Sequence, residues 1–338
     1  MSDEQHRRIP VWMWVAIAVV AVSAAAWLAS TARRPDPPES FRYDVAEYEK
    51  ADPSLIIGSE LPPIDPGVPG LNALASTKDG RIFAAGDKKL VILNLAGEAI
   101  AQYPLDATPQ CLAVSPDEHI VLGMLDRVEI LDADGKPKNS WPLLGEQAHI
   151  TSIAADEENV YVANAGQRVV LRFDYDGALL TRIGEKNPDR DIPGLVVPSP
   201  YLDIAFDNTG ALWVVNPGRH GFEHYRPNGD LVSSWYRPSM KIDGFCGCCN
   251  PTHIAFRSDG TLVTAEKGLF RVKLYSVDQK LLGLVADPKE FHRAPTGPFS
   301  PELKTPLLDI AVDADDRILV LDANENAIRV FEIKKEEG

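Results

Sequence analysis

The sequence predicts an all-β protein, a six-bladed β-propeller preceded by one transmembrane helix. Three observations carry this. A phrase built from an apolar residue, an alanine, a short turn and a second strand returns six times. Its anchoring alanines, Ala75, Ala113, Ala154, Ala205, Ala255 and Ala311, are spaced 38, 41, 51, 50 and 56 residues apart. Repeats of that period, each holding several short strands, are the signature of propeller blades. Ahead of them lies a single long uncharged stretch.

Residues 1–10 form a short tail. The segment 11–30 is the anchor, because Val11 to Ala29 runs 19 positions without a charge. About 20 apolar residues cross a bilayer, whereas a signal-peptide core is roughly 7–15. Trp12, Trp14 and Trp27 stand near its ends, where amphipathic rings prefer the headgroup boundary. The competing reading is a secretion signal cut after Ala32. Arg7 and Arg8 on one side nearly balance Arg33, Arg34 and Arg42 on the other, so flanking charge does not set the orientation. A short tail followed by a large acidic domain favours a periplasmic or extracellular propeller.

Residues 31–70 are rich in proline and read as a semi-rigid stalk. The propeller itself spans 71–338. Each blade reads as strand, turn, strand, turn, strand, with glycine in turns such as LAGE (95–98), DYDG (174–177) and RPNG (226–229). The last blade has only three evident strands. A strand from the amino-terminal side is expected to complete it, and FRYDVAEY (41–48) and SLIIG (54–58) are the candidates. Such closure removes open sheet edges.

The residue two before each anchoring alanine should stand at one mouth of the central channel. That register reads Ala73, Cys111, Ser152, Asp203, His253 and Asp309, while the next position is always Leu or Ile. Polar residues at one repeated register imply an aqueous axis that could hold a ligand; a wet channel that merely tolerates them is the alternative. The chain is lengthened at 183–200, 236–250 and 286–306, each just ahead of an inner strand. Those insertions elaborate the same mouth, and elaborated loops on a rigid scaffold are where recognition resides.

All four cysteines fall in this region: Cys111 at the ring, and Cys246, Cys248 and Cys249 in GFCGCCNPTH, four residues ahead of His253. Three readings stay open. Thiolates with His253 suit tetrahedral zinc, and equally copper or an iron–sulfur centre. In an oxidising compartment the thiols would instead pair as disulfides. A single cysteine activated by His253 would be a nucleophile. Calcium held by Asp203 and Asp309 is a further cofactor candidate. His149, Ser152, Arg219 and His220 are the other residues expected at the ligand mouth.

The formal net charge of −15 disfavours nucleic acid and anionic lipid as partners. There is no phosphate-cradling glycine loop, no Gly-x-Ser-x-Gly and no His-Glu-x-x-His.

The repeats resemble the NHL family. VYVANAGQRVVLRFDYDGALLTRIG in the third blade has that family's order of an Asn after the second strand, a basic residue with Val, an aromatic and a Gly turn; LVLDANENAIRVFEI follows it closely. The resemblance covers roughly residues 70–335 and implies the fold. It leaves function open, because such propellers serve as protein-binding scaffolds, lyases and sensor domains. Two classes follow. One is a membrane-anchored binding module taking a protein or small molecule at its mouth, with the Cys/His cluster serving redox or metal handling. The other is a metal-dependent lyase or lactonase-like hydrolase using the channel; the chain departs from the first because only His253 occupies the ring, and from the second because the ring lacks Glu and Asn.

Overall fold

The computed structural model describes residues 12, 14, 18–23, 48, 50–247, 249–291 and 309–334. Two compact units divide the chain, residues 1–44 and 45–338. In the first, Trp12, Trp14 and residues 18–23 are helical and exposed; the rest of the expected anchor lies outside the described residues. Among the described residues no helix is long and apolar enough to cross a membrane.

The second unit holds six four-stranded antiparallel sheets. A strand β1 (Gly58–Ile64) comes first. Blade 1 is β2 (Ala73–Ser76), β3 (Ile82–Gly86), β4 (Lys89–Leu93) and β5 (Ala99–Pro104). Blade 2 is β6 (Cys111–Val114), β7 (Ile120–Gly123), β8 (Val128–Leu131) and β9 (Pro137–Ser140). Blade 3 is β10 (Ile150–Ala155), β11 (Asn159–Asn164), β12 (Val169–Asp174) and β13 (Leu179–Ile183). Blade 4 is β14 (Ile204–Phe206), β15 (Leu212–Asn216), β16 (Gly221–Tyr225) and β17 (Leu231–Tyr236). Blade 5 is β18 (His253–Phe256), β19 (Leu262–Ala265), β20 (Val272–Tyr275) and β21 (Leu281–Leu284). Blade 6 is β22 (Ile310–Val312), β23 (Ile318–Asp322), β24 (Ala327–Ile333) and, outermost, β1.

The six-bladed reading is therefore correct, as is closure from the amino-terminal side. The closing segment begins on the last residue of SLIIG, Gly58, and otherwise lies beyond both candidates. Of FRYDVAEY only Tyr48 is described, while Ser54 and Leu55 of SLIIG form a 3-10 turn and Ile56 makes a lone bridge to Leu284 of blade 5. The strand is GSELPPI, the very proline-rich stretch read as stalk. Its position explains the tolerance. An outermost strand needs ladder donors on one side only, and the pairing shifts between Leu61 and Ile64 where Pro62 and Pro63 stand. Arg329 of β24 clasps it, with Nε and Nη2 each 2.7 Å from the Glu60 carboxylate.

Blade hairpins form where glycine supplies a left-handed residue. Gly80, Gly210 and Gly260 have φ of +89°, +81° and +82° and each donates its N–H back across the turn. The second strands β3, β11 and β23 are buried along their whole length, which accounts for their unbroken apolar runs. Six apolar clusters fill the seams between neighbouring blades. Ile82 and Val91 of blade 1 meet Leu319 and Val330 of blade 6 in one of them, so the circle closes through core packing as well as through β1.

Candidate functional site

The inner strands β2, β6, β10, β14, β18 and β22 surround an axial cavity of about 520 Å³. Cys111, Ser152, Asp203, His253 and Asp309 line it; Ala73 does not, being buried in the seam between blades 1 and 2. His149 lines the same cavity, together with Asn72, Gln110, Tyr201 and Thr252, which the repeat register alone did not single out.

The polar ring has a structural reason. An innermost strand has no further strand on its axial side, so its N–H groups there need other partners. Ser152 Oγ accepts from the Ile204 N–H at 3.3 Å, Asp203 Oδ2 from the Ile254 N–H at 2.7 Å, and Asp309 Oδ2 from the Leu74 N–H at 3.1 Å. Each bond reaches from one blade to the next. The side chains at this register thus lace blades 3 to 4, 4 to 5 and 6 to 1.

The same placement gives the cavity its electrostatics. Burial raises the Asp203 carboxyl above its ordinary value, against the pull of His253. Asp309 is pushed up to about 6, first by burial; His253 opposes the rise and the Asp203 charge adds to it. Two acids and an imidazole therefore share one end of a confined space. Buried acids with perturbed titration beside an imidazole are a feature of functional sites as a class.

Cys111 lines the cavity and also borders an apolar seam. Its thiol packs in the apolar seam of blades 2 and 3, in the gap left by the missing side chain of Gly123. Burial, then Asp309 and Asp203, hold it well above the ordinary thiol range, so it behaves as a small apolar side chain. Cys246 and Cys249 do not line the cavity. Cys249 exchanges a hydrogen bond with the Ser199 hydroxyl. Cys246 sits near Glu266, Arg271 and Lys273, and burial raises its thiol. Cys248 lies outside the described residues. Cys111 and Cys246 are free thiols, and among the described residues no three His, Cys, Asp or Glu side chains converge on a position that could hold a metal.

Arg219 and His220 are also absent from the cavity lining. They form a 3-10 turn in blade 4, with His220 in the left-handed region at φ +60° and the Arg219 guanidinium over the Tyr236 ring at 5.8 Å. Beneath that turn Glu223 is fully buried; it accepts from Asn216 Nδ2 at 2.8 Å and from the Tyr225 and Tyr236 hydroxyls. The turn is therefore pinned by an internal polar network.

A second buried charge organises the cysteine loop. Lys273 and Glu266 side chains are both fully buried, with Nζ 2.7 Å from Oε1. Lys273 also donates to the Gly244 carbonyl at 2.7 Å and lies over the Phe245 ring at 4.1 Å. Sequence reasoning missed this pair, although Lys273 interrupts the apolar strand β20 and signals a buried partner.

No known family's sequence profile matches the chain, and no curated protein matches it. Solved structures do. A streptogramin B lyase aligns with a TM-score of 0.54 at 14% identity, over 82% of this chain and 97% of the lyase. Virginiamycin B lyase from Staphylococcus aureus aligns with a TM-score of 0.53 at 14% identity, over 82% of this chain and 99% of that one. A Bacteroides thetaiotaomicron protein of unknown function gives a TM-score of 0.56 at 13% identity, over 78% of this chain and 69% of that one. These likenesses establish the propeller fold.

Proposed function

We propose that this protein is a membrane-anchored, extracytoplasmic propeller whose axial cavity captures a small molecule. One observation carries the reading: the inner strands of all six blades bound a 520 Å³ space with Asp203, His253 and Asp309 gathered at one end. Cavities of roughly 300–1,000 Å³ with a few polar groups in an apolar lining are typical ligand sites. The uncharged stretch 11–29 supports the anchor, and the −15 net charge supports a non-nucleic-acid partner.

The test is a fragment screen by thermal shift on the full chain beside His253→Trp, which enlarges a half-buried side chain at the cavity. A ligand at 100 times its Kd stabilises by about 2.7 kcal/mol. Compounds that stabilise the wild type are expected to lose that effect in the variant. Compounds that stabilise both proteins equally, or a screen without any, would refute the cavity as the site.

A second reading adds catalysis in the same cavity, favoured by the Asp309 carboxyl at about 6 beside the His253 ring. Two of the similar solved structures are lyases, at an identity that carries only the fold. Conversion of a captured ligand, followed by mass spectrometry and abolished in Asp309→Asn with binding retained, would establish it.

A further inference from the structure

The axial cavity has a direction. Its inner strands run parallel to one another along the axis, with Asp203, His253 and Asp309 at their starts and Val114, Phe206, Phe256 and Val312 at their ends. Three residues of strand separate the two sets, about 10 Å at 3.3 Å per residue. One end carries the two acids; the other is largely apolar, with Ala155 and two phenylalanines whose rings also pack on Tyr161 and Trp213, alongside Ser76.

The charge is one-sided as well. Among the described residues, the ionisable side chains in the lining besides the Cys111 thiol and Tyr201 phenol are Asp203, Asp309, His149 and His253, without a Lys or Arg. An anion at the strand starts would face two carboxylates, with the Lys267 ammonium over the Tyr201 ring at 4.1 Å. A single metal ion is poorly matched too, since no three ligands converge among the described residues and the space far exceeds one ion. What fits is a molecule with a positive head and an apolar body.

We infer that the axial cavity selects organic cations: a protonated amine held at the Asp203–Asp309 end, its apolar chain or ring lying toward Phe206 and Phe256. This rests on the cavity being the binding site and names the class of ligand it takes. The raised Asp309 carboxyl agrees with it, because buried neighbouring acids are what a bound cation would relieve. The acidic surface adds long-range attraction for the same class of ligand. The carboxylates already accept backbone N–H bonds that lace the blades, and they acquire a second role when an ammonium shares those oxygens.

The experiment uses the full chain in detergent micelles with empty micelles as blank, titrated calorimetrically with benzylammonium, benzyl alcohol and benzoate. These probes share a ring and differ in charge. Benzylammonium is expected to bind at least ~10-fold more tightly than benzyl alcohol, equivalent to about 1.4 kcal/mol, with benzoate weakest. Asp203→Asn with Asp309→Asn should bring the first two to parity, since each amide oxygen can still accept the neighbouring N–H. Thermal unfolding of that variant reports its fold; if it does not fold, the wild-type charge series and its sensitivity to His253→Trp decide alone. Equal binding of all three probes would overturn cation selection and leave the cavity reading standing, as would a cation preference that survives in a folded double variant. Failure of all three to bind overturns the inference, and the broader screen then decides whether the cavity binds anything.

Discussion

Asp309 shows how one side chain ties stability to the site. Its carboxyl titrates near 6 in the folded protein against an ordinary value of 3.8. A raised acid binds its proton more tightly when folded, so the unfolded chain ionises first and stability is lost as pH rises from about 4 to about 6. Asp309→Asn removes that loss. Urea unfolding of both proteins at pH 4 and pH 7 should show the variant gaining about 2–3 kcal/mol relative to wild type over that span. A pH-independent difference would mean that the carboxyl is not strained by its burial. Gly123 offers a second test at this scale. A Cβ there would overlap the Cys111 sulfur and come within 2.8 Å of Ile153 Cδ1. Gly123→Ala is expected to cost about 1–3 kcal/mol, and adding Cys111→Ala should recover part of it. Denaturant midpoints for the four proteins of the cycle measure the coupling; strict additivity would show that the sulfur is not what fills the gap.

Among elements, β1 and the loop ahead of β18 illustrate opposite kinds of legibility. The deficit of one strand in blade 6 was readable by counting, yet the strand that fills it was masked by its own prolines. Proline argues against a ladder only where both edges must donate, and an outermost strand is free of that demand. Removing residues 1–64 should leave the β24 edge unpaired and give aggregation on gel filtration. Retention of a monodisperse folded protein after that cut would contradict closure by β1. The loop at 236–250 offered a metal centre, disulfides or a nucleophile because its cysteines are close in sequence. In space Phe245 and the buried Lys273–Glu266 pair fix it to blade 5, and Cys111 turns into a different seam. Sequence proximity of ligand-type residues does not report where their side chains point.

For the whole molecule, the anchor and the propeller are separable propositions. Cutting after residue 44 removes one compact unit and leaves the other entire. The shortened protein is expected to fold with unchanged far-ultraviolet dichroism and to leave the membrane fraction that retains the full chain. A full chain found in the soluble fraction would remove the anchor.

The sequence by itself determined the blade number, the ring register and the need for a closing strand, because a repeated pattern forces the same local structure six times over. It also placed Asp203, His253 and Asp309 together, since one register on six symmetric strands meets at one axis. Only the tertiary structure decided which of the other candidates join them. His149 reaches the cavity, whereas Arg219, His220, Cys246 and Cys249 do not, and Cys111 spends its sulfur on packing. Those outcomes depend on loop paths and on side-chain direction within a seam, and neither is encoded in a period.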